Sequence, residues 1–88
     1  MFTRVAVVNR GEPAMRLIRA VRELNEQGGY GIRVIALHTE ADRRARFVRA
    51  ADEAVCLRDV PTAGGAYVDH AELERALRAT RADAAWVG

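Results

Sequence analysis

Four consecutive residues, Asn9, Arg10, Gly11 and Glu12, set an amide, a permanent cation, a glycine and an acid directly behind an apolar run. Arginine keeps its charge when partly buried and suits bidentate ion pairs. A glycine lets another group come close to the backbone, and an acid at a helix start favours the positive end of that helix. Two readings of the bend stand side by side: it forms one wall of a ligand cleft, or it simply caps the helix behind it. The other chemically able residues are scattered. Arg43, Arg44, Arg46 and Arg49 crowd a short segment, placed either to meet a phosphate or a partner's carboxylates, or to face solvent. Glu40 follows the second apolar run, where a ribose-binding acid would stand. A dinucleotide fingerprint, however, needs three spaced glycines after the first run, and Gly11 is alone there. Cys56, between Val55 and Leu57 and with no histidine near it in sequence, reads as a small core residue. His38 and His70 have no cysteine or carboxylate cluster spaced to help them hold a metal.

The elements that must position these residues follow from periodicity. Val5 to Val8 is a continuous apolar run, the mark of a strand covered on both faces. Pro13, tolerated in a first helical turn, opens a helix reaching about Gln27, with Ala14, Leu17, Ile18, Val21 and Leu24 as its inward stripe. Glu12/Arg16, Arg19/Glu23 and Arg22/Glu26 are spaced to pair along it. Gly28, Gly29 and Gly31 end the helix. Ile32 to His38 is a second buried strand. Asp42 is expected to cap a short helix from Arg43 to Ala51, with Phe47, Val48 and Ala51 turned inward. Glu53 to Leu57 is a third strand. Asp69 with Glu72 resembles a capping box and opens a helix with Leu73, Ala76 and Leu77 inward. Ala84 to Val87 is the last strand. Strands alternating with helices give an α/β fold, an open parallel sheet of Rossmann-like type with right-handed crossovers and the order 3-2-1-4. The order reverses between the first and fourth strands, and ligands gather at the carboxyl ends beside such a reversal. Asn9 to Glu12 and Gly88 share that edge.

A chain of 88 residues makes one small domain. Its formal charge is +2, all 14 basic residues are arginine, and 12 acids nearly balance them, so no general nucleic-acid or membrane-binding surface is indicated. The single cysteine cannot form an intrachain disulfide. No stretch approaches the roughly 18 apolar residues of a membrane helix, and the first residues lack the pattern of a secretory signal. A cytoplasmic location is expected.

The segment VAVVNRGEPAMRLIRAVREL resembles the opening of the biotin carboxylase family: a strand, an Asn-Arg-Gly-Glu turn and an arginine-rich helix. The likeness continues through Glu40, Ala41, Asp42 and Arg43 and through Ala51, Asp52, Glu53, Ala54 and Val55, and spans nearly the whole chain. Pro13 stands where an aliphatic residue is commoner, and the glycine cluster after the first helix looks like a surface insertion. Trp86, Val87 and Gly88 look like the Trp-x-Gly of large single-chain acyl-CoA carboxylases rather than the His-Pro-Gly of bacterial biotin carboxylases. The resemblance implies an N-terminal, pre-ATP-grasp domain over residues 1–88, a fragment of a longer multidomain ligase. That enzyme would use ATP, Mg²⁺ and bicarbonate to carboxylate biotin, with no cofactor bound by this segment alone. The implied partners are the downstream ATP-grasp and C-terminal domains, a biotin carrier domain, a carboxyltransferase that selects the final acceptor, and a second copy in a homo-oligomer. Within the resemblance, Arg10, Gly11, Glu12 and Gly88 belong to the biotin and bicarbonate cleft, and Arg16, Arg19 and Glu23 to the dimer contact. No catalytic residue and no metal ligand is assigned, and the segment by itself is expected to be inactive.

Three rivals share some of these features. A flavodoxin-like signalling receiver has the same alternation, but it needs acids where Asn9 and Arg10 stand. A pre-ATP-grasp domain of another ligase is the nearer alternative. An arginine-driven RNA binder is the most distant.

Overall fold

The computed structural model describes residues 2–88. Seven regular elements run in the order β1 (Arg4–Val7), α1 (Gly11–Gly28), β2 (Arg33–His38), α2 (Arg46–Ala50), β3 (Glu53–Cys56), α3 (His70–Thr80) and β4 (Ala84–Trp86), with 3-10 turns at Glu40–Asp42 and Ala66–Val68. The strands form one parallel sheet in the order β3-β2-β1-β4, as the alternation of elements implies. Val5 lies opposite Val34 and Ala84, and Ala6 opposite Ile35 and Ala85. Successive strand side chains point to opposite faces, so each apolar run feeds two cores. Val5, Val7, Val34 and Ala36 pack with Ala14, Ile18 and Val21 of α1 and Phe47 of α2. Ala6, Val8, Ile35 and Leu37 pack on the other face with Leu57, Ala66 and Ala76. That two-sided burial explains why these strands read as continuous apolar runs.

The inward stripe of α1 includes Met15, while Leu24 is exposed. Its charged residues do not pair four apart. Arg19 reaches back to Glu12 at 2.8 Å, Arg22 donates to the Ala50 carbonyl, and Glu23 accepts from Gln27 at 3.3 Å. Asp42 is not a helix cap: α2 starts later, after Ala45, without a side-chain cap, because Asp42 is drawn to other partners described below. Cys56 is half-buried at the edge strand rather than in the core.

The amino edge of the sheet is closed by side chains. Asp83 accepts from the Arg4 amide at 2.9 Å and from the Thr3 amide at 3.0 Å. The Arg4 guanidinium makes a two-bond pair with Glu53 at 2.8 and 2.9 Å and also donates to the Thr80 carbonyl at 2.7 Å. Asp52 accepts from the buried Val34 amide at 2.7 Å. These bonds fix the strand ends and leave the carboxyl edge as the open one.

Candidate functional site

At the carboxyl edge β1 and β4 run side by side, and the Val8 amide still donates to the Trp86 carbonyl at 2.8 Å. Beyond that bond the two chains diverge. Asn9 bridges them: its side-chain oxygen accepts from the Arg10 amide at 2.7 Å, and its Nδ2 donates to the Val87 carbonyl at 3.5 Å. Gly88 packs against this amide, since a Cβ there would lie 2.4 Å from Asn9 Nδ2 and 3.0 Å from the Trp86 ring. Gly11 turns the chain into α1 with φ +63°, a conformation that strains side chains bearing a Cβ. A Cβ at Gly11 would otherwise meet nothing within 4 Å. The glycine is therefore demanded by backbone conformation, and the space above it is open.

Arg10, extended at φ −137° and ψ 174°, precedes α1 without capping it. Its Nη2 donates to Asp42 Oδ1 at 2.6 Å, and its side chain is 63% exposed. Arg10 lines a cleft of about 380 Å³ together with Asn9, Val87, Gly64, Tyr67 and Val68. The loop between β3 and α3 lines it too, through Gly64, Tyr67 and Val68. There the Tyr67 hydroxyl donates to Asp42 Oδ2 at 3.1 Å and accepts from the Thr39 amide at 3.3 Å. Burial pushes the Tyr67 phenol up to about 12, and the bond to Asp42 adds to the shift, so the hydroxyl keeps its proton.

The expected site residues separate into two groups. Arg10 lines the cleft, with Gly11 at its bend and Gly88 behind Asn9. Glu12 turns away along the outer flank of α1 to Arg19, whose hydrogen bond holds the Glu12 carboxyl below its ordinary range. Arg16 and Glu23 are exposed with it. The residues missed by sequence reasoning are Asp42 and Tyr67, which lie far from Arg10 along the chain and carry no periodic signal.

A second hollow, of about 420 Å³, lies off β2 and β3 between Glu40, Arg58 and Asp59. It is slightly larger but stands away from the strand-order reversal where ligands of such sheets collect. Cys56 Sγ sits beside it, 3.5 Å from Glu40 Oε2. Burial first, then the bond to that carboxylate, pushes the thiol up, so it stays protonated and poorly nucleophilic. His38 is buried with Nδ1 2.9 Å from the Thr39 carbonyl, and His70 is exposed. Among the described residues no three His, Cys, Asp or Glu side chains converge to hold a metal ion. Among the described residues no helix is long and apolar enough to cross a membrane.

Fold and site together define an open α/β domain whose polar amino edge is closed and whose carboxyl edge offers a small cleft with one largely exposed cation. The family model for the biotin carboxylase N-terminal domain matches residues 1–88. The chain is 38% identical over 84 residues to the biotin carboxylase of Haemophilus influenzae, covering 96% of this chain and 17% of that protein. It is 36% identical over 87 residues to the human mitochondrial propionyl-CoA carboxylase alpha chain, covering 99% of this chain and 11% of that one. Among solved structures it is similar to the biotin carboxylase domain dimer of the Hydrogenobacter thermophilus 2-oxoglutarate carboxylase, a complex with MgADP, ADP and bicarbonate. The TM-score is 0.81 at 34% identity, covering all of this chain and 18% of that one. The chain belongs to the biotin carboxylase N-terminal domain family, and it spans less than a fifth of the length of these relatives.

Proposed function

We propose that this chain is the N-terminal domain of an ATP-dependent biotin carboxylase, where it supplies one wall of the biotin and bicarbonate cleft and part of a dimer contact. The observation that carries the cleft assignment is the Arg10 guanidinium, largely exposed at the strand-order reversal and tethered by a single bond. In the reaction of such enzymes ATP and bicarbonate give carboxyphosphate, whose carboxyl group passes to the ureido nitrogen of biotin. That chemistry needs cations on the transferring phosphate, acids for Mg²⁺ and shelter from water. The described residues include no converging set of metal ligands, and the chain has no lysine. The work assigned to it is therefore positional: a fixed cation at the cleft and a rigid sheet behind it. ATP-grasp and C-terminal domains, a biotin carrier and a carboxyltransferase are the partners this role requires.

The exposed flank of α1, with Arg16, Arg19 and Glu23, is assigned to the dimer contact. Its support is the charged, uncovered surface of an 18-residue helix, and the Hydrogenobacter relative is described as a domain dimer. Reversing two charges, Arg19→Glu with Glu23→Arg, should move the full-length enzyme toward monomer in sedimentation velocity; an unchanged dimer would reject this surface.

The test of the function is direct. A polypeptide carrying this chain and its downstream domains should cleave ATP only when bicarbonate is present, with free biotin raising the rate, whereas residues 1–88 alone should show no ATP cleavage. Cleavage by the short chain alone, or a longer enzyme indifferent to bicarbonate, would overturn the reading.

A further inference from the structure

Arg10 reaches the cleft from a flexible side chain, yet the bonds around it form one directed series. The Thr39 amide donates to the Tyr67 oxygen, the Tyr67 hydroxyl donates to Asp42 Oδ2, and Asp42 Oδ1 receives Arg10 Nη2. Because the phenol oxygen already accepts from an amide, its one proton is left for Asp42. The Asp42 carboxylate, only 8% exposed as a residue, is thus held at both oxygens. We infer that Asp42 is the positioning residue for Arg10, with Tyr67 fixing the carboxylate, so that the remaining guanidinium donors are aimed at a small oxyanion of the bicarbonate class entering the cleft. This rests on the reading of Arg10 as a cleft-wall residue.

Three observations favour it over a plain surface ion pair. The two partners differ sharply in exposure, 63% for the Arg10 side chain and 9% for that of Asp42, so the acid is built into the fold while the cation is left outside. A pair with one partner so exposed contributes little to stability, which leaves orientation as its main effect. Arg10 and Tyr67 also line the same cleft, so the series joins two of its lining residues. A guanidinium held before ligand arrives loses less rotamer freedom on binding. Only Nη2 has a partner among the described residues, and a guanidinium carries five donors, so an anion finds several unused.

The experiment uses the full-length enzyme. Bicarbonate KM and kcat of biotin-dependent ATP cleavage are measured for Asp42→Asn, Tyr67→Phe, Arg10→Ala and the double variants with Arg10→Ala, with the unfolding midpoint of each. Asp42→Asn should raise KM for bicarbonate about tenfold and Tyr67→Phe about threefold, the range expected for weakening a charge-assisted hydrogen bond and its support. kcat should change little. Neither substitution should raise KM further once Arg10→Ala is present. If Asp42→Asn does not fold, the Tyr67→Phe pair carries the same comparison. Should Arg10→Ala raise KM while Asp42→Asn and Tyr67→Phe do not, or should their effects persist undiminished beside Arg10→Ala, the positioning role falls and the cleft assignment stands. If Arg10→Ala itself leaves KM unchanged, both fall.

Discussion

Of the three helices that begin at the carboxyl edge of the sheet, α1 and α3 begin differently. At the start of α3 both carboxylates, Asp69 and Glu72, are used inside the chain. Asp69 accepts from the Glu72 amide at 2.8 Å and from the Thr62 hydroxyl. Glu72, 5% exposed, accepts from the Arg58 amide and takes Arg75 in a two-bond pair at 2.8 and 2.6 Å. At the start of α1 no side chain caps the helix, Arg10 keeps most of its donors outside, and Glu12 is drawn away to Arg19. Arg10, just before α1, lines the cleft beside the reversal of strand order. One helix start is committed to stability; the other leaves a charge available.

The sharpest way to break this comparison is Glu72→Ala. It strips the Arg58 amide and Arg75 of their acceptor, and should cost about 2 to 3 kcal/mol in urea or thermal unfolding. Acid should reproduce part of that loss. The hydrogen bond from Arg75, and then that from Arg58, hold the Glu72 carboxyl near 2, against an ordinary 4.5. The folded-state value lies below the unfolded one, so the contribution is complete above about pH 4.5 and fades as pH falls toward 2. Glu72→Gln should flatten the stability profile across that window, and an unchanged profile would locate the acid sensitivity elsewhere. Asp69→Ala, which removes the cap but not the buried carboxylate, should lower the unfolding midpoint by less than Glu72→Ala does. Smallest of all on this scale is Arg10→Ala, with a stability change under about 1 kcal/mol; a loss equal to that of Glu72→Ala would erase the distinction between the two helix starts.

The same contrast marks what can be read from the sequence. The two central strands were legible because the apolar runs at Val5–Val8 and Val34–Leu37 feed two cores at once and leave no polar alternation; the partly exposed edge strands rested on the alternation of strands and helices. The start of α3 was half legible. Asp69 caps through a contact three residues away, but Glu72 does not return the bond as a capping box would; its amide partner Arg58 lies 14 residues earlier. Asp42 is not the local cap its position suggests for the same reason, since its partners Arg10 and Tyr67 stand 32 and 25 residues away. Pairings between single polar residues across loops have no period and no fixed spacing, so only the folded chain reveals them. The bend at Asn9–Glu12 was located by its residue types, while the division between Arg10 in the cleft and Glu12 on the helix flank required coordinates.

On the proposed reading, the start of α1 serves a ligand rather than the fold. Arg10→Ala in the full-length enzyme tests it most directly, with kcat/KM for bicarbonate and the unfolding midpoint measured on the same preparation. The account predicts a fall in kcat/KM of about tenfold or more with a midpoint near that of the unsubstituted enzyme. An unchanged kcat/KM, or a fall that only follows lost stability, would contradict it.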